Sequence, residues 1–191
     1  MATHEEILRL YERGLDEFGT RVRLIGPEDW ARPTPDTEWS VRDLVTHLVD
    51  EQLWAPPLLE GRTIEEIGTP YTGDPLGDDP LRAWAEAAEG ARAAFAAPGA
   101  LDRGVQLSFG PSTAVTYCRQ MTGDLTIHAW DLARALGAEE TIDEGLLAYV
   151  YEGTLPYADM LASSGLFAPR VDVPEDAGLL TRTLALFGRR R

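Results

Sequence analysis

Three side chains able to bind a metal ion lie in two separate segments of the chain. Asp124 and His128 are four residues apart, and His47 lies among apolar residues in the segment LVTHLV. Residues four apart on a helix lie on one face, one turn apart, so both can reach a single ion. Two imidazoles and one carboxylate form a known zinc set with a fourth position open, and they also suit non-haem iron. The candidate metal ligands are therefore His47, Asp124 and His128.

Two simpler roles remain open for these residues. A histidine near an apolar helix face is more often a hydrogen-bonded core residue than a metal ligand. Asp124 and His128 could also form only a surface ion pair, in which the carboxylate selects the tautomer of the imidazole. The spacing alone does not separate these alternatives from a metal centre.

Further polar residues are candidates for a supporting role around the ligands. Asp131 lies one turn after His128, where its carboxylate could orient the imidazole or pair with Arg42 on an earlier helix. Arg134 follows on the same helix. An inter-helix salt bridge that only stabilises the fold is an equal alternative for these three residues.

The remaining conspicuous side chains are interpreted as structural. Trp39 and Trp130 lie at helix ends, where packing is a simpler role than stacking on a ligand. We interpret Cys118 as a buried apolar side chain and His4 as a surface residue near the N-terminus.

The composition excludes several classes of function. The chain has 17 basic and 32 acidic side chains and a formal net charge of −15, so phosphate backbones and anionic membranes would repel it. A single cysteine excludes both an intrachain disulfide and a cysteine zinc cage, and the absence of lysine excludes Schiff-base chemistry. Without a secretory signal or a membrane-length apolar stretch, we expect a cytoplasmic protein with no nucleic-acid or membrane partner.

Apolar spacing predicts the helices that position the candidate ligands. We expect helices over residues 4–24, from Ser40 to the Pro56-Pro57 pair, and over 80–97, 113–136, 143–162 (bent at Pro156) and 177–187. Capping signals support the starts at Thr3 and Ser40 and the end at Gly137. The Gly, Pro, Asp and Thr content of residues 60–79 predicts a long loop or lid. The alternating pattern of residues 104–109 predicts a short strand or extended chain.

This order of elements predicts a mostly all-α protein with one domain over residues 1–191. An antiparallel four-helix bundle would occupy about 1–137, and further helices would pack on its outside over about 138–191.

Two motifs resemble a known family. The segments Thr37–Val49 and Asp124–Gly137 resemble the mycothiol-dependent maleylpyruvate isomerase-like family, which belongs with the DinB-like bundles. The stretch from Val171 to Arg189 is similar to a subfamily of that group. The resemblance covers nearly the whole chain and implies a DinB-like four-helix bundle with one divalent metal, usually zinc, at its open end.

The resemblance also implies ligands and a reaction. His47 matches the histidine of the second helix, and Asp124 and His128 match the two ligands of the last bundle helix. The first of that pair is a glutamate in the isomerase and a histidine in many relatives, so Asp124 is a departure that affects reach and metal preference. The metal would activate a small thiol, such as mycothiol, toward an electrophilic substrate for isomerisation or S-transfer. The loop 60–79 and the C-terminal helices would shape the pocket.

Alternatives of another class stay open beside the isomerase or S-transferase. A metal- or ligand-binding stress-response module needs no catalysis, and a metal-dependent hydrolase would use water at the same position. A homodimer is also open, since bundle relatives pair through outer helices and no sequence patch decides it.

Overall fold

The computed structural model, which describes residues 2–36, 38–68, 73–163 and 168–191, is mostly helical, as the sequence predicts. The bundle helices are α1 (His4–Val22), α2 (Val41–Leu59), α4 (Pro80–Ala96) and α5 (Ala114–Leu136), with α1 packed chiefly on α5 and α2 on α4. No helix in the described ranges is long and apolar enough to cross a membrane. The elements in chain order are α1 (His4–Val22), α2 (Val41–Leu59), α3 (Ile64–Ile67), α4 (Pro80–Ala96), β1 (Gly104–Leu107), β2 (Gly110–Thr113), α5 (Ala114–Leu136), α6 (Glu144–Thr154), α7 (Ala158–Ser163) and α8 (Leu179–Leu186).

Side-chain caps fix the starts of the helices that carry the candidate ligands. The Ser40 hydroxyl accepts a hydrogen bond from the Asp43 backbone, and the Asp43 carboxylate accepts one from the Ser40 backbone, which is a complete capping box for α2. Thr113 caps α5, and Gly137 ends it in the left-handed conformation. These predicted starts and the predicted end are confirmed.

The prediction that Pro56 and Pro57 end α2 is wrong. Proline lacks an N–H donor, but its carbonyl still accepts, and those of Pro56 and Pro57 accept hydrogen bonds from Glu60 and Arg62 at 3.0 and 3.1 Å. The last turn also buries Ala55, Leu58 and Leu59. Packing of this turn in the core therefore outweighs the missing donors, and α2 continues to Leu59.

The segment predicted as a loop over 60–79 contains a short helix. The Thr63 hydroxyl and the Glu66 carboxylate form a second complete capping box, which starts α3 within this segment. Ile67 and Leu76 anchor the segment in the core, at 8% and 1% exposure. Residues 69–72 of the predicted lid lie outside the described residues.

The C-terminal part follows the predicted order. The expected strand pairs with a second one in an antiparallel hairpin, β1–β2. The predicted bend at Pro156 is a 3₁₀ turn, Leu155–Tyr157, between α6 and α7. Helix α6 packs on both α5 and α8. These contacts favour a single domain over residues 1–191, which stays a prediction. An unfolding experiment would test it, because a single domain should unfold in one cooperative transition.

The chain after α8 makes a close turn that only glycine fits. Gly188 has a φ of +75°, and a Cβ there would lie 2.4 Å from the carbonyl oxygen of Ala168. The turn carries Arg189 inward, where it is 4% exposed.

We predict that Gly188→Ala lowers the free energy of unfolding by about 1–3 kcal/mol, because the left-handed backbone and the contact with Ala168 both oppose a Cβ. Gly153→Ala is the matched control, since Gly153 lies in α6 with open space around its Cα. That variant should be as stable as the parent or more stable. Urea unfolding followed by circular dichroism measures both, and equal stability of the Gly188 variant and the parent would contradict the model of the turn.

Candidate metal centre

The structure brings the three candidate ligands together at the contact between α2 and α5. The Nε2 atom of His47 lies 3.0 Å from Oδ2 of Asp124, and Nε2 of His128 lies 3.3 Å from its Oδ1. One ligand atom from each residue lies within 4.8 Å of the others. Convergence of two imidazoles and a carboxylate fits a divalent ion, and the same contacts serve as hydrogen bonds in the metal-free protein.

The three side chains differ in burial, so the group has a closed side and an open side. The side chain of His128 is 2% exposed, whereas those of Asp124 and His47 are 19% and 29% exposed. Access from solvent is therefore on the side of His47 and Asp124.

Electrostatic coupling makes the group a tightly paired charge cluster. Burial alone would lower the pKa of His128, but the Asp124 and Asp131 carboxylates outweigh it and raise that pKa to about 10. Burial would lower the pKa of His47 as well, and Asp124 again reverses the direction. The two imidazoles hold the pKa of Asp124 far below its usual range, although burial opposes them. Without a metal, protons on the histidines balance the charge of the Asp124 carboxylate.

Asp131 orients His128 from the side opposite the open face. Its Oδ2 lies 3.0 Å from Nδ1 of His128, and its side chain is fully buried. This contact leaves Nε2 of the imidazole directed toward Asp124 and His47, which is the usual arrangement of an outer carboxylate behind a histidine ligand.

Arg189 is the buried cation that pairs with Asp131. Its Nε and Nη2 donate to the two Asp131 oxygens at 3.1 and 3.0 Å, and Nη2 also donates to Asp36 at 2.6 Å. The atoms of Asp36, His128 and Asp131 are close enough to hold an ion. The Arg189 guanidinium already supplies the positive charge there, so we assign no metal to that second group.

The expected pairing of Asp131 with Arg42 is not formed. Arg42 is half-exposed and forms an ion pair with Asp74 instead. Arg134 pairs with Glu140 at 2.9 Å. Neither arginine forms an ion pair or a hydrogen bond with His128. Asp131 does not pair with Arg42 because its fully buried carboxylate needs a buried partner. The C-terminal turn provides that partner, Arg189.

Two residues near the site were not predicted. The ring of Trp39, interpreted from the sequence as a packing anchor, lies 4.9 Å from that of His47 and 5.7 Å from that of His128. Glu51 lies one turn after His47, and burial together with the Asp124 charge raises its pKa to about 7. The four-residue spacing between His47 and Glu51 could have indicated that Glu51 lies near the site. Trp39 precedes the helix, so no helical spacing linked it to the ligands.

The other structural interpretations agree with the structure. Trp130 is fully buried, and its indole N–H donates to Glu140 at 3.1 Å. Cys118 is fully buried, and burial raises the pKa of its thiol to about 12, which excludes it as a thiolate nucleophile. His4 is exposed at the start of α1.

A groove beside His47 leads to the open side of the site. It has a volume of about 480 Å³ and follows one face of α2 and the residues before it. None of the described residues of the loop 60–79 or of the C-terminal helices lines it. The described lining residues all lie within residues 38–50: Glu38, Trp39, Asp43, Thr46, His47 and Asp50.

Comparison with known proteins identifies the family. The sequence model of the mycothiol maleylpyruvate isomerase N-terminal domain matches residues 11–133, a range that includes all three candidate ligands. The chain belongs to this family. The chain is also 31% identical over 143 residues to uncharacterized proteins from two strains of Mycobacterium tuberculosis, covering 73% of this chain and 72% of theirs.

Solved structures of the family share the fold. The mycothiol-dependent maleylpyruvate isomerase superposes with a TM-score of 0.64 at 19% identity, over 84% of this chain and 73% of that one. A point mutant of the same isomerase gives the same score over 83% and 72%. The similarity confirms the isomerase-like bundle fold.

We predict that Arg189→Gln lowers the free energy of unfolding by about 3–5 kcal/mol, because it leaves the buried Asp131 carboxylate without its cation. The neighbouring Arg190 is exposed, and Arg190→Gln is the matched control, with an expected change within about 0.5 kcal/mol. Denaturant titrations of the two variants decide the point. A similar small change in both would show that Arg189 does not neutralise the buried carboxylate.

We also predict that the metal-free protein loses stability as pH rises. A histidine whose pKa is raised on folding stabilises the fold fully below its ordinary pKa of 6.5, and this contribution disappears as pH passes the folded value near 10. Glu51 contributes to the decline only up to about pH 7. The decline above pH 7 should be smaller in His128→Gln. Unfolding free energies of metal-free parent and variant across this range provide the measurement, and a parent stability that is constant or rising would contradict the pairing.

Proposed function

We propose that the protein is a metal-dependent isomerase or S-transferase that uses a small thiol, with mycothiol as the first candidate. His47, Asp124 and His128 would hold the metal, for which zinc is the first candidate. The observation that carries the proposal is the convergence of these three side chains with one side open to a groove. Membership of a family described by a mycothiol-dependent isomerase supports the choice of thiol.

A divalent ion held by His47, Asp124 and His128 would supply positive charge that lowers the pKa of a bound thiol, so that the thiol would be a thiolate at neutral pH. The protein's own residues provide the orientation. Asp131 orients the imidazole of His128, and the buried Arg189 holds the Asp131 carboxylate in place. Trp39 covers part of the two imidazole rings and limits the access of water from that side.

The shorter Asp124 side chain suits this site because it lies between the two histidines. Its two oxygens face different imidazoles, at 3.0 and 3.3 Å. A carboxylate held from both sides has a defined direction even in the metal-free protein. We expect this preorganisation to offset the loss of reach relative to glutamate, with a change in metal preference as the remaining consequence.

Cobalt(II)-loaded protein provides the test, because a thiolate bound to cobalt absorbs in the near ultraviolet. We predict that mycothiol produces this band in the parent, and that His128→Ala abolishes it. His4→Ala is the control, since His4 is exposed and remote from the ligands in sequence. Zinc-loaded parent should then accelerate addition of the thiol to an activated alkene.

Other outcomes identify the alternatives. Metal-dependent ester hydrolysis that needs no thiol would contradict the proposal and favour a hydrolase. A metal-loaded protein that gives no thiolate band and no turnover would favour a non-catalytic metal-binding module.

A further inference from the structure

We infer that the groove beside His47 selects thiols and electrophiles that are uncharged or positively charged, and excludes those that carry carboxylates. This inference rests on the proposed function and names its substrate class. It follows from the charge of the groove, from the pairing of the nearby arginines and from the position of Trp39.

Besides the candidate ligand His47, the described lining of the groove contains three carboxylates and no arginine. Asp43, His47 and Asp50 follow at spacings of four and three residues, so they lie on one face of α2. Glu38 lies at the exposed end, just before the helix. The Ser40 hydroxyl and backbone hydrogen bonds lower the pKa of Asp43, which keeps its charge at neutral pH.

The nearby arginines are not available to an anionic substrate. Arg42 is paired with Asp74 at the surface. Arg189 is 4% exposed and lies behind His128, where it is bound to Asp131 and Asp36. A carboxylate entering the groove would therefore meet negative charge without a free guanidinium.

A bound divalent ion would not reverse this charge balance. Asp124 neutralises one of its two charges, which leaves one positive charge against the three carboxylates of the groove.

Trp39 gives the groove a surface suited to a cation. Its ring is half-buried, lies against both imidazoles and lines the groove together with Glu38 and Asp43. An ammonium group beside an indole and carboxylates gains from both contacts. One oxygen of Asp50 is inaccessible to solvent and has no hydrogen-bond partner within the described residues.

The test compares three simple thiols on cobalt(II)-loaded protein: 2-aminoethanethiol (cationic), 2-mercaptoethanol (neutral) and 3-mercaptopropionate (anionic). Affinity is taken from the near-ultraviolet thiolate band and expressed per thiolate, which corrects for the different ionised fractions of the three thiols. We expect the order cationic, neutral, anionic from tightest to weakest. The preference should weaken as ionic strength rises, because salt screens charges at the exposed end of the groove.

Two variants, each of which removes one negative charge, distinguish the effect of the groove on thiol affinity from the effect of the protein's overall negative charge. Asp50→Asn should reduce the ratio of cationic to anionic affinity by about 2- to 5-fold, the range of a partly exposed charge pair. Glu152→Gln on α6 lies outside the groove lining and should leave the ratio unchanged.

The outcomes distinguish this inference from the proposed function. A thiolate band with equal or tighter binding of 3-mercaptopropionate, or a ratio unchanged in Asp50→Asn, would overturn the inference alone. The absence of a band with all three thiols would contradict the proposed function and the inference with it.

Discussion

A carboxylate enclosed by two imidazoles is the interaction on which the site depends. Asp124 lies between His47 and His128 with only 19% of its side chain exposed, and a charge in such a position is costly unless opposite charges or a metal ion balance it. Behind His128 the pairing continues through Asp131 to Arg189. The contact between α2 and α5, the turn at Gly188 and the inward course of the C-terminal tail all position members of this one chain of charges.

The local part of this arrangement could be predicted from the sequence, and the long-range part could not. The spacing of Asp124 and His128 places them on one helix face, and the capping boxes and apolar stripes indicate the bundle helices. The partner of Asp131 lies 58 residues away in a tail with three consecutive arginines, and nothing local distinguishes Arg189 from Arg190. The prediction that the two prolines end α2 failed for a similar reason, because tertiary packing outweighed a local signal.

Family membership and the chemistry of the site explain different features of the protein. The shared bundle explains why three distant residues meet, and the described ligand geometry explains how they could hold an ion. The groove is a feature of this chain's own sequence: the carboxylates along α2 and the indole before it define the charge that a substrate meets. Under the proposed function, the shared fold therefore does not by itself determine the charge of the substrate.

Elemental analysis of the purified protein tests most directly whether His47, Asp124 and His128 bind a metal. The parent and His4→Ala should contain close to one zinc ion per chain, because His4 is exposed and outside the ligand group. His47→Ala and His128→Ala should contain little zinc while retaining helical circular dichroism. A folded parent that stays metal-free after zinc is supplied would contradict the claim, and the three residues would then be a hydrogen-bonded group in the bundle core.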